Sequence, residues 1–248
     1  MGSGPVGFEP ELVQILCRSL ITQSLVIQLK PHPRAFFVGL SRKIAFEMEF
    51  QEVVRKRRMV RAFDSTPLPR GVVERIIRNA QRGPSSGYTQ GFEFLIFDGQ
   101  EMTAKFWKHI VSQERGNPAA NAQVTSAPLI IVPLAHSQAY VRRYLEPDKS
   151  LVGRKTAEDW PAPYWFMDTA FAAMLVLLTA VDSGLGAYYF SLGATNMEIP
   201  PFQKAFNIPK EYYPIGAIAI GYPLPDSRSP SPKRGRRSKL EVMHFAKW

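Results

Sequence analysis

Residues 55–97 read RKRRMVRAFDSTPLPRGVVERIIRNAQRGPSSGYTQGFEFLIF, and the interpretation of the whole chain depends on this stretch. It contains clustered arginines, a short amphipathic segment, a Pro-Ser-Ser-Gly turn and an aromatic-rich strand. Arginine suits phosphate recognition because its planar guanidinium donates paired hydrogen bonds. Arg57, Arg58 and Arg61 lie among apolar neighbours, which favours a packed anion site. The alternative for such a run is a solvated basic surface.

The two segments that flank this basic cluster have apolar residues at helical spacing. Pro69 suits the first turn of the downstream helix, because the missing N–H of proline costs nothing there. The downstream spacing predicts one buried helical face, formed by Val72, Val73, Ile76, Ile77 and Ala80. Upstream, the same spacing predicts a helix with Phe50, Val53 and Val54 on one face.

Two apolar runs indicate the centre of the fold. Leu129–Leu134 is continuously apolar, which is typical of a strand covered on both faces. Tyr164–Val181 is apolar nearly all round, so we expect a helix in the core or in an interface. Irregular alternation of helices and strands predicts an α+β fold with a mixed sheet. The other predicted elements are helices over Glu101–Gln113, Tyr140–Leu145 and Ile199–Phe206, and strands over Phe92–Phe97, Gly186–Phe190, Tyr213–Ile220 and Leu240–Phe245.

Composition restricts the partners. The 248 residues carry a formal net charge of +10, concentrated at 55–61 and 228–239, which favours a polyanion, a membrane surface or a phosphate ligand. No nucleic-acid-binding motif is visible, so we expect no nucleic acid partner.

A single cysteine, Cys17, excludes an intramolecular disulfide, and four scattered histidines show no metal-ligand spacing. We therefore expect no metal, and a reducing, cytoplasmic location. The run Ala170–Val181 is too short to span a membrane, so we expect no transmembrane segment and no membrane partner.

The chain divides by pattern at residue 48. Residues 1–47 are proline-broken and irregular, and we expect an N-terminal extension outside the folded core. An upstream start codon and a real docking arm are the two explanations. Residues 48–248 carry all the periodic segments and form the predicted domain.

Together the motifs of residues 48–248 resemble the nitroreductase family of FMN-dependent oxidoreductases. The matching pieces, in order, are RRMVRAF at 57–63, PLP at 67–69, GPSSGYTQGFEF at 83–94, GLGA at 184–187, GYP at 221–223 and a basic segment before the C-terminus. Each motif is weak alone, and their order and spacing make the combination fairly specific. EPDK at 146–149 and PYW at 163–165 make the chain look most like actinobacterial nitroreductases.

The resemblance implies a nitroreductase-like fold, with a mixed, mainly antiparallel sheet flanked by helices, and a homodimer with FMN at the subunit interface. Arg57 and Arg58 would contact the phosphate and ribityl chain, and Arg61 would lie by the N1–C2=O edge of the flavin. The other implied flavin-binding residues are Pro84, Ser85 and Ser86 from the partner subunit, the backbone of Ser191, Leu192 and Gly193, and Arg236 and Arg237 at the phosphate.

Two departures from the family pattern affect the implied site. Met59 replaces the usual serine, so any flavin contact there must use its backbone. Tyr88 stands where many members have asparagine, which replaces an amide by an aromatic ring that either shapes the acceptor pocket or packs under the following strand.

The resemblance implies that NAD(P)H reduces the flavin and leaves before a small nitroaromatic or quinone-like acceptor is reduced, a ping-pong order. No side-chain acid or base is required, so no catalytic residue is named. The candidates for an aromatic pocket wall, about half of which we expect to be ordinary core, are Trp107, Tyr140, Tyr144, Trp160, Tyr164 and Trp165. The alternatives are reductive dehalogenation, flavin breakdown, a non-catalytic flavin-storage protein and, least favoured, a basic nucleic-acid binder.

We predict that a protein starting at Met48 folds, dimerises and keeps its flavin, because every motif of the resemblance follows that residue. Light scattering and the visible spectrum of the purified truncated protein measure both properties. Loss of flavin on truncation would show that residues 1–47 are structural.

Overall fold

A sheet with strand order β1-β2-β5-β3 lies at the centre of this computed structural model, and a short strand β4 pairs with β2. The structure describes residues 48–110, 122–192, 199–226 and 231–248. The strands are β1 (Phe92–Asp98), β2 (Leu129–His136), β3 (Gly186–Phe190), β4 (Tyr212–Pro214) and β5 (Ala217–Gly221). The helices are α1 (Phe50–Lys56), α2 (Arg70–Ala80), α3 (Gln100–Lys108), α4 (Ala122–Thr125), α5 (Ser137–Tyr144), α6 (Tyr164–Asp182) and α7 (Ile199–Ala205).

All pairs of these strands are antiparallel, and an isolated bridge between Met59 and Ala187 is parallel. The predicted α+β fold with a mixed, mainly antiparallel sheet is therefore confirmed.

Strand β2 is buried along its whole length, as its continuous apolar run predicts. Successive side chains of a strand point to opposite faces of the sheet. Ile130 and Val132 accordingly pack into one core cluster with aromatic residues of α3 and α7. Ile131 packs into the other cluster, against α2 and α6.

Helix α6 packs against the second face of the sheet and against α2. It has 19 residues and a mean hydropathy of 1.6 over its most apolar window, so by length and composition it could cross a membrane. Half of that window is buried inside the protein, as expected for a core helix. The helix extends beyond the run Ala170–Val181 at both ends, and the run alone is shorter than a membrane span. Its exposed face carries Met167, Phe171 and Met174.

Helix α2 confirms the apolar stripe read from the sequence. Val73, Ile76 and Ala80 are buried, and Val72 and Ile77 pack against the same cluster. Helix α1 confirms only Val53, because the side chains of Phe50 and Val54 are exposed on this chain.

Two predicted strands differ from the structure. The strand expected over Tyr213–Ile220 is divided into β4 and β5. Both pair with β2, but their registers differ by one residue, so the segment at Ile215 and Gly216 forms a bulge between them. The segment Leu240–Phe245 forms no strand: it contains the end of a 3₁₀ turn, Lys239–Glu241, and its residues are exposed. An apolar sequence without a sheet edge beside it has no ladder to join.

Two other expectations extend beyond the described parts of the chain. Helix α3 ends at Lys108, and the predicted end at Gln113 lies outside the described residues. The predicted extension over residues 1–47 also lies outside them.

Candidate functional site

The basic cluster runs alongside β3 in an extended conformation. The N–H of Val60 donates to the carbonyl of Ala187 at 3.0 Å, and Met59 forms the parallel bridge with the same residue. The Val60 side chain is buried in the core. The thioether sulfur of Met59 accepts a weak hydrogen bond from the N–H of Tyr189 at 3.5 Å. This packing fixes the cluster to the sheet and does not leave it as a free surface strand.

A buried carboxylate organises the same segment. Only 4% of the Asp226 side-chain surface is exposed, and one oxygen accepts from the Arg58 guanidinium at 2.7 Å. The other oxygen accepts from the backbone N–H of Arg61 at 2.8 Å. Burial alone would raise the pKa of Asp226, but the hydrogen bonds from Arg61 and Arg58 outweigh burial and hold its pKa below the ordinary value.

The arginines of the cluster therefore differ in how many of their guanidinium N–H donors remain available to a ligand. Arg58 is paired with Asp226. The Arg61 guanidinium lies 4.7 Å from the ring centroid of Tyr188, and also donates to the Met59 carbonyl at 3.5 Å. Within the described parts of the chain, no carboxylate pairs with Arg57. Arg57 and Arg61 consequently keep donors that an anion could accept.

The Pro-Ser-Ser-Gly turn has an unusual backbone. Gly87 has φ of 62°, and Tyr88 and Gln90 also have positive φ, at 55° and 52°. Positive φ is costly for residues with a side chain and persists where surrounding contacts enforce it. A Cβ at Gly87 would lie 2.7 Å from the ring of Tyr144, so this position needs glycine for space as well as for φ.

Side chains of α5 and α6 hold this turn. The N–H of Ser86 donates to the buried carboxylate of Asp168 at 2.8 Å, and the Ser86 hydroxyl is 3.0 Å from the Tyr144 hydroxyl. The Arg143 guanidinium donates to the Gly87 carbonyl at 3.0 Å. Within the turn, the Ser85 hydroxyl accepts from the N–H of Gln90 at 2.7 Å.

Arg143 also connects the turn to the segment that follows α5. Its guanidinium donates to the Asp148 carboxylate with two bonds of 2.7 Å and to Glu146 at 2.9 Å. These carboxylates, with Asp148 first, raise the pKa of Arg143, which stays charged. One side chain thus joins the turn to residues 146–148.

Five of the six aromatic candidates lie together. Tyr140, Tyr144 and Trp160 are buried and pack with Tyr164 and Trp165. The Arg154 guanidinium lies over this group, 4.4 Å from the Trp160 ring centroid. Burial, and then the hydrogen bond to Asp168, raise the pKa of Tyr140, so its hydroxyl remains a donor.

Trp107 packs elsewhere, stacked on Phe190 at 5.4 Å, and is a core residue. Tyr140, Tyr144 and Trp160 are buried and Trp107 packs against the core, so four of the six candidates have core packing, against the expected half.

The remaining predicted flavin contacts lie at the end of β3 and at the C-terminus. Ser191 is exposed, the Leu192 side chain belongs to the core, and Gly193 lies outside the described residues. Arg236 and Arg237 are exposed, as are all residues from 231 to 248. Arg237 donates to the carbonyl of Glu241 in its own segment.

The two halves of the expected site are separate within one chain. No hydrogen bond or ion pair between described residues joins the Arg57–Arg61 cluster to the turn at 84–90. Pro84 and Tyr88 are exposed, and 79% of the Tyr88 surface is accessible. Tyr88 therefore does not pack under β1, which was one of its two explanations.

Sequence reasoning missed three residues that hold these halves, Asp226, Asp168 and Arg143. It also missed Arg154, which lies over the aromatic group. Asp226 is the only acidic residue in the basic, Pro/Ser-rich stretch 223–237, and this isolated charge is the signal that the sequence offers. Asp168 is likewise the only acidic residue of α6 before its last position, a signal that an apolar helix contains a functional carboxylate. In the described ranges, no cluster of His, Cys, Asp and Glu could hold a metal ion.

Comparisons with known proteins identify a family. A model described as the nitroreductase family matches residues 54–222. A protein of Methanothermobacter thermautotrophicus, named NADH dehydrogenase/NAD(P)H nitroreductase, is 25% identical over 204 residues, covering 82% of this chain and 89% of its own. An iodotyrosine deiodinase of Nematostella vectensis is 24% identical over 200 residues, covering 79% and 75%.

Solved structures agree on the fold. An FMN-dependent nitroreductase from Clostridium difficile R20291 superimposes with a TM-score of 0.57 at 19% identity, covering 79% of this chain and 98% of that one. The similarity to actinobacterial members stays a prediction.

We predict that the stability contributed by Asp226 depends on pH. Its pKa is lower in the folded chain than the ordinary 3.8, so its contribution is complete above that value and is lost as the pH falls through the folded-state pKa. Urea midpoints of wild type and Asp226→Asn should therefore differ most at neutral pH and converge as the pH falls through the folded-state pKa of Asp226. Glu74→Gln, on an exposed pair with Arg70, is the control. A difference that does not change with pH would contradict the assignment.

Proposed function

Since the chain belongs to the nitroreductase family, we propose that it is an FMN-dependent enzyme of the cytoplasm that passes electrons from NAD(P)H to nitroaromatic or quinone-like acceptors. The observation that carries this proposal is the pair of preorganised segments, one basic and one a strained turn, each fixed by a buried carboxylate. The names of the relatives, NAD(P)H nitroreductase among them, support the same reaction class.

The donor set fits FMN. A flavin mononucleotide presents a dianionic phosphate and a polar ring edge, and guanidinium groups bind phosphate well. Arg57 has no carboxylate partner among the described residues, so its donors suit the phosphate. Arg58 gives one donor to Asp226 and can offer the others. Exposed Arg236 and Arg237 are free to approach a phosphate held by another chain.

When bound, FMN supplies the chemistry: it accepts a hydride from NAD(P)H and delivers reducing equivalents to the acceptor. The Arg61 guanidinium contributes a fixed positive charge, which lowers the energy of negative charge developing on a ring edge beside it. Its contacts with Tyr188 and the Met59 carbonyl limit its rotation, so this charge is preorganised. NAD(P)H and acceptor would use the same place in turn, which gives ping-pong kinetics.

The acceptor would meet an aromatic and cationic wall. Tyr88 projects from the turn, and Tyr164, a partly buried member of the ring cluster, lies under the Arg154 guanidinium. Flat apolar faces suit a planar acceptor.

We further propose a homodimer whose subunits share each site. Met167, Phe171 and Met174 form an exposed apolar stripe on α6, and such a stripe favours an interface. Within one chain no hydrogen bond or ion pair between described residues joins the basic cluster to the turn, which supports a site completed by the partner's turn with Pro84, Ser85 and Ser86.

The deiodinase relative favours a second candidate, reductive removal of a halogen from an aromatic acceptor. The same flavin and donor would serve both reactions, so the acceptor distinguishes them. Flavin breakdown and flavin storage are separate outcomes of the same experiment.

The experiment is anaerobic titration of the FMN-loaded protein with NADPH and NADH, followed by addition of a nitroaromatic, a quinone or a halophenol. We expect bleaching of the flavin absorbance by at least one donor and its return on addition of a nitroaromatic or quinone. Recovery with the halophenol alone would favour dehalogenation, and permanent loss of the spectrum would favour flavin breakdown. Bound flavin that neither donor bleaches would contradict an NAD(P)H-dependent enzyme.

We predict that Arg57→Ala weakens FMN binding by roughly 1.5–3 kcal/mol, because a charge-assisted phosphate contact is lost. Titration of apo-protein with FMN measures the dissociation constant. Arg55→Ala, at a highly exposed position two residues earlier, is the matched control and should bind normally. Equal affinities of Arg57→Ala and wild type would remove Arg57 from the site.

Tyr88→Ala should raise the Michaelis constant for bulky nitroaromatics and leave the FMN dissociation constant and melting temperature near wild type. The reason is that Tyr88 is exposed and offers the acceptor a flat face. Measurements with a large and a small acceptor separate the effects. A lower melting temperature with unchanged selectivity would instead assign Tyr88 to packing.

Phe171→Glu should convert the dimer to monomer and release FMN, because it places a charge in the apolar stripe of α6. Light scattering should give about twice the 28.0 kDa chain mass for wild type and the single mass for the variant. Leu151→Glu, at a fully exposed position, is the control. A wild-type monomer that retains FMN would contradict the shared site.

A further inference from the structure

We propose that Asp168 is a positioning residue for the turn at 84–90, and that its buried carboxylate sets the shape in which this turn meets FMN. The inference rests on the proposed flavin function and adds a residue that does not itself touch the cofactor. Asp168 lies in the first half of α6, 82 residues from the Ser86 N–H that it binds.

The contacts of Asp168 converge on one atom. Its Oδ2 accepts the Ser86 N–H at 2.8 Å and the Tyr140 hydroxyl at 2.7 Å. Only 3% of the Asp168 surface is accessible, and Tyr140 is completely buried. The carboxylate therefore joins α5, α6 and the turn at a single point away from solvent.

This arrangement is not what stability alone would select. A buried carboxylate is costly unless it is paired, and apolar side chains in place of buried charge are often neutral or stabilising. In the described parts of the chain, no Lys, Arg or His forms an ion pair with Asp168. Both groups that donate to Asp168 are neutral, so only hydrogen bonds offset the cost of burying its carboxylate. We infer that the carboxylate is there because it gives the turn a defined geometry.

The turn needs such a constraint. Tyr88 and Gln90 have backbone angles in the left-handed region. Residues other than glycine rarely adopt this conformation unless surrounding contacts enforce it. Tyr144 hydrogen-bonds to the Ser86 hydroxyl, and Arg143 donates to the Gly87 carbonyl. Asp168 accepts the backbone N–H of Ser86. A turn held in its bound shape loses less entropy when the ligand arrives, so affinity rises through preorganisation.

The test compares Asp168→Leu with Asp168→Asn. Leucine removes the acceptor, whereas asparagine keeps one carbonyl oxygen, which is sufficient because both donors use the same oxygen. We expect Asp168→Leu to raise the FMN dissociation constant by about tenfold or more, with asparagine restoring most of the affinity. The melting temperature of the apo-protein is measured beside it. Thr179→Val is the matched control, because it removes a hydrogen bond to Asn79 from the same helix far from the turn.

A second variant, Tyr140→Phe, keeps the ring and removes one donor to Asp168, together with the contacts of the same hydroxyl to Ser85 and Gly91. It should weaken FMN binding by about threefold, and it provides the test if Asp168→Leu does not fold. An unchanged FMN affinity in Asp168→Leu, or in Tyr140→Phe when the leucine variant is unfolded, would overturn the inference. Equal weakening in Thr179→Val, or no rescue by asparagine, would also overturn it. A wild-type chain that binds no FMN would instead overturn the proposed function itself.

Discussion

Hydrogen bonding of backbone N–H groups to two buried carboxylates is the constraint on which the rest of the site depends. Asp226 accepts the Arg61 N–H, and Asp168 accepts the Ser86 N–H. The turn contains a short 3₁₀ helix, Ser86–Tyr88, whose first N–H groups have no partner within the helix, and the basic cluster forms isolated bridges instead of a ladder strand. Their buried backbone groups must therefore find partners elsewhere. Asp226 also pairs with Arg58 and occupies one of its donors, whereas Arg57 has no carboxylate partner among the described residues. The carboxylates thus determine both the shape and the charge of the candidate site.

The fold supplies these carboxylates from its core. Helix α6 packs one face against the sheet, carries Asp168 beneath the turn and exposes an apolar stripe. Strand β3 holds the basic cluster through Ala187 and places Tyr188 under Arg61. The same two elements, α6 and β3, therefore form the core and hold the site. Core packing consequently fixes the positions of the site residues. A shared dimeric site would follow because the core helix also presents the candidate interface.

The sequence predicted what depends on local pattern. The buried β2, the long α6 and the apolar stripe of α2 follow from periodicity. What it did not predict depends on long-range contacts: Arg58 meets Asp226 across 168 residues, and no spacing rule connects them. The absence of a strand at 240–245 has the same origin, because strand formation needs a partner in space. The division of β4 from β5 is a local bulge against β2, which the apolar pattern does not reveal. The resemblance found the turn, but not the side chains that hold it.

Complementation in a mixed dimer tests the shared site most directly. Two differently tagged chains, one carrying Arg57→Ala and the other Asp168→Leu, are coexpressed and the heterodimer is purified and titrated with FMN. If each site takes its basic cluster from one chain and its turn from the other, the heterodimer contains one intact site and one doubly defective site. The account predicts one tightly bound FMN per heterodimer, although both mutant homodimers bind weakly. Two equally weakened sites in the heterodimer would contradict it, because both halves would then come from the same chain.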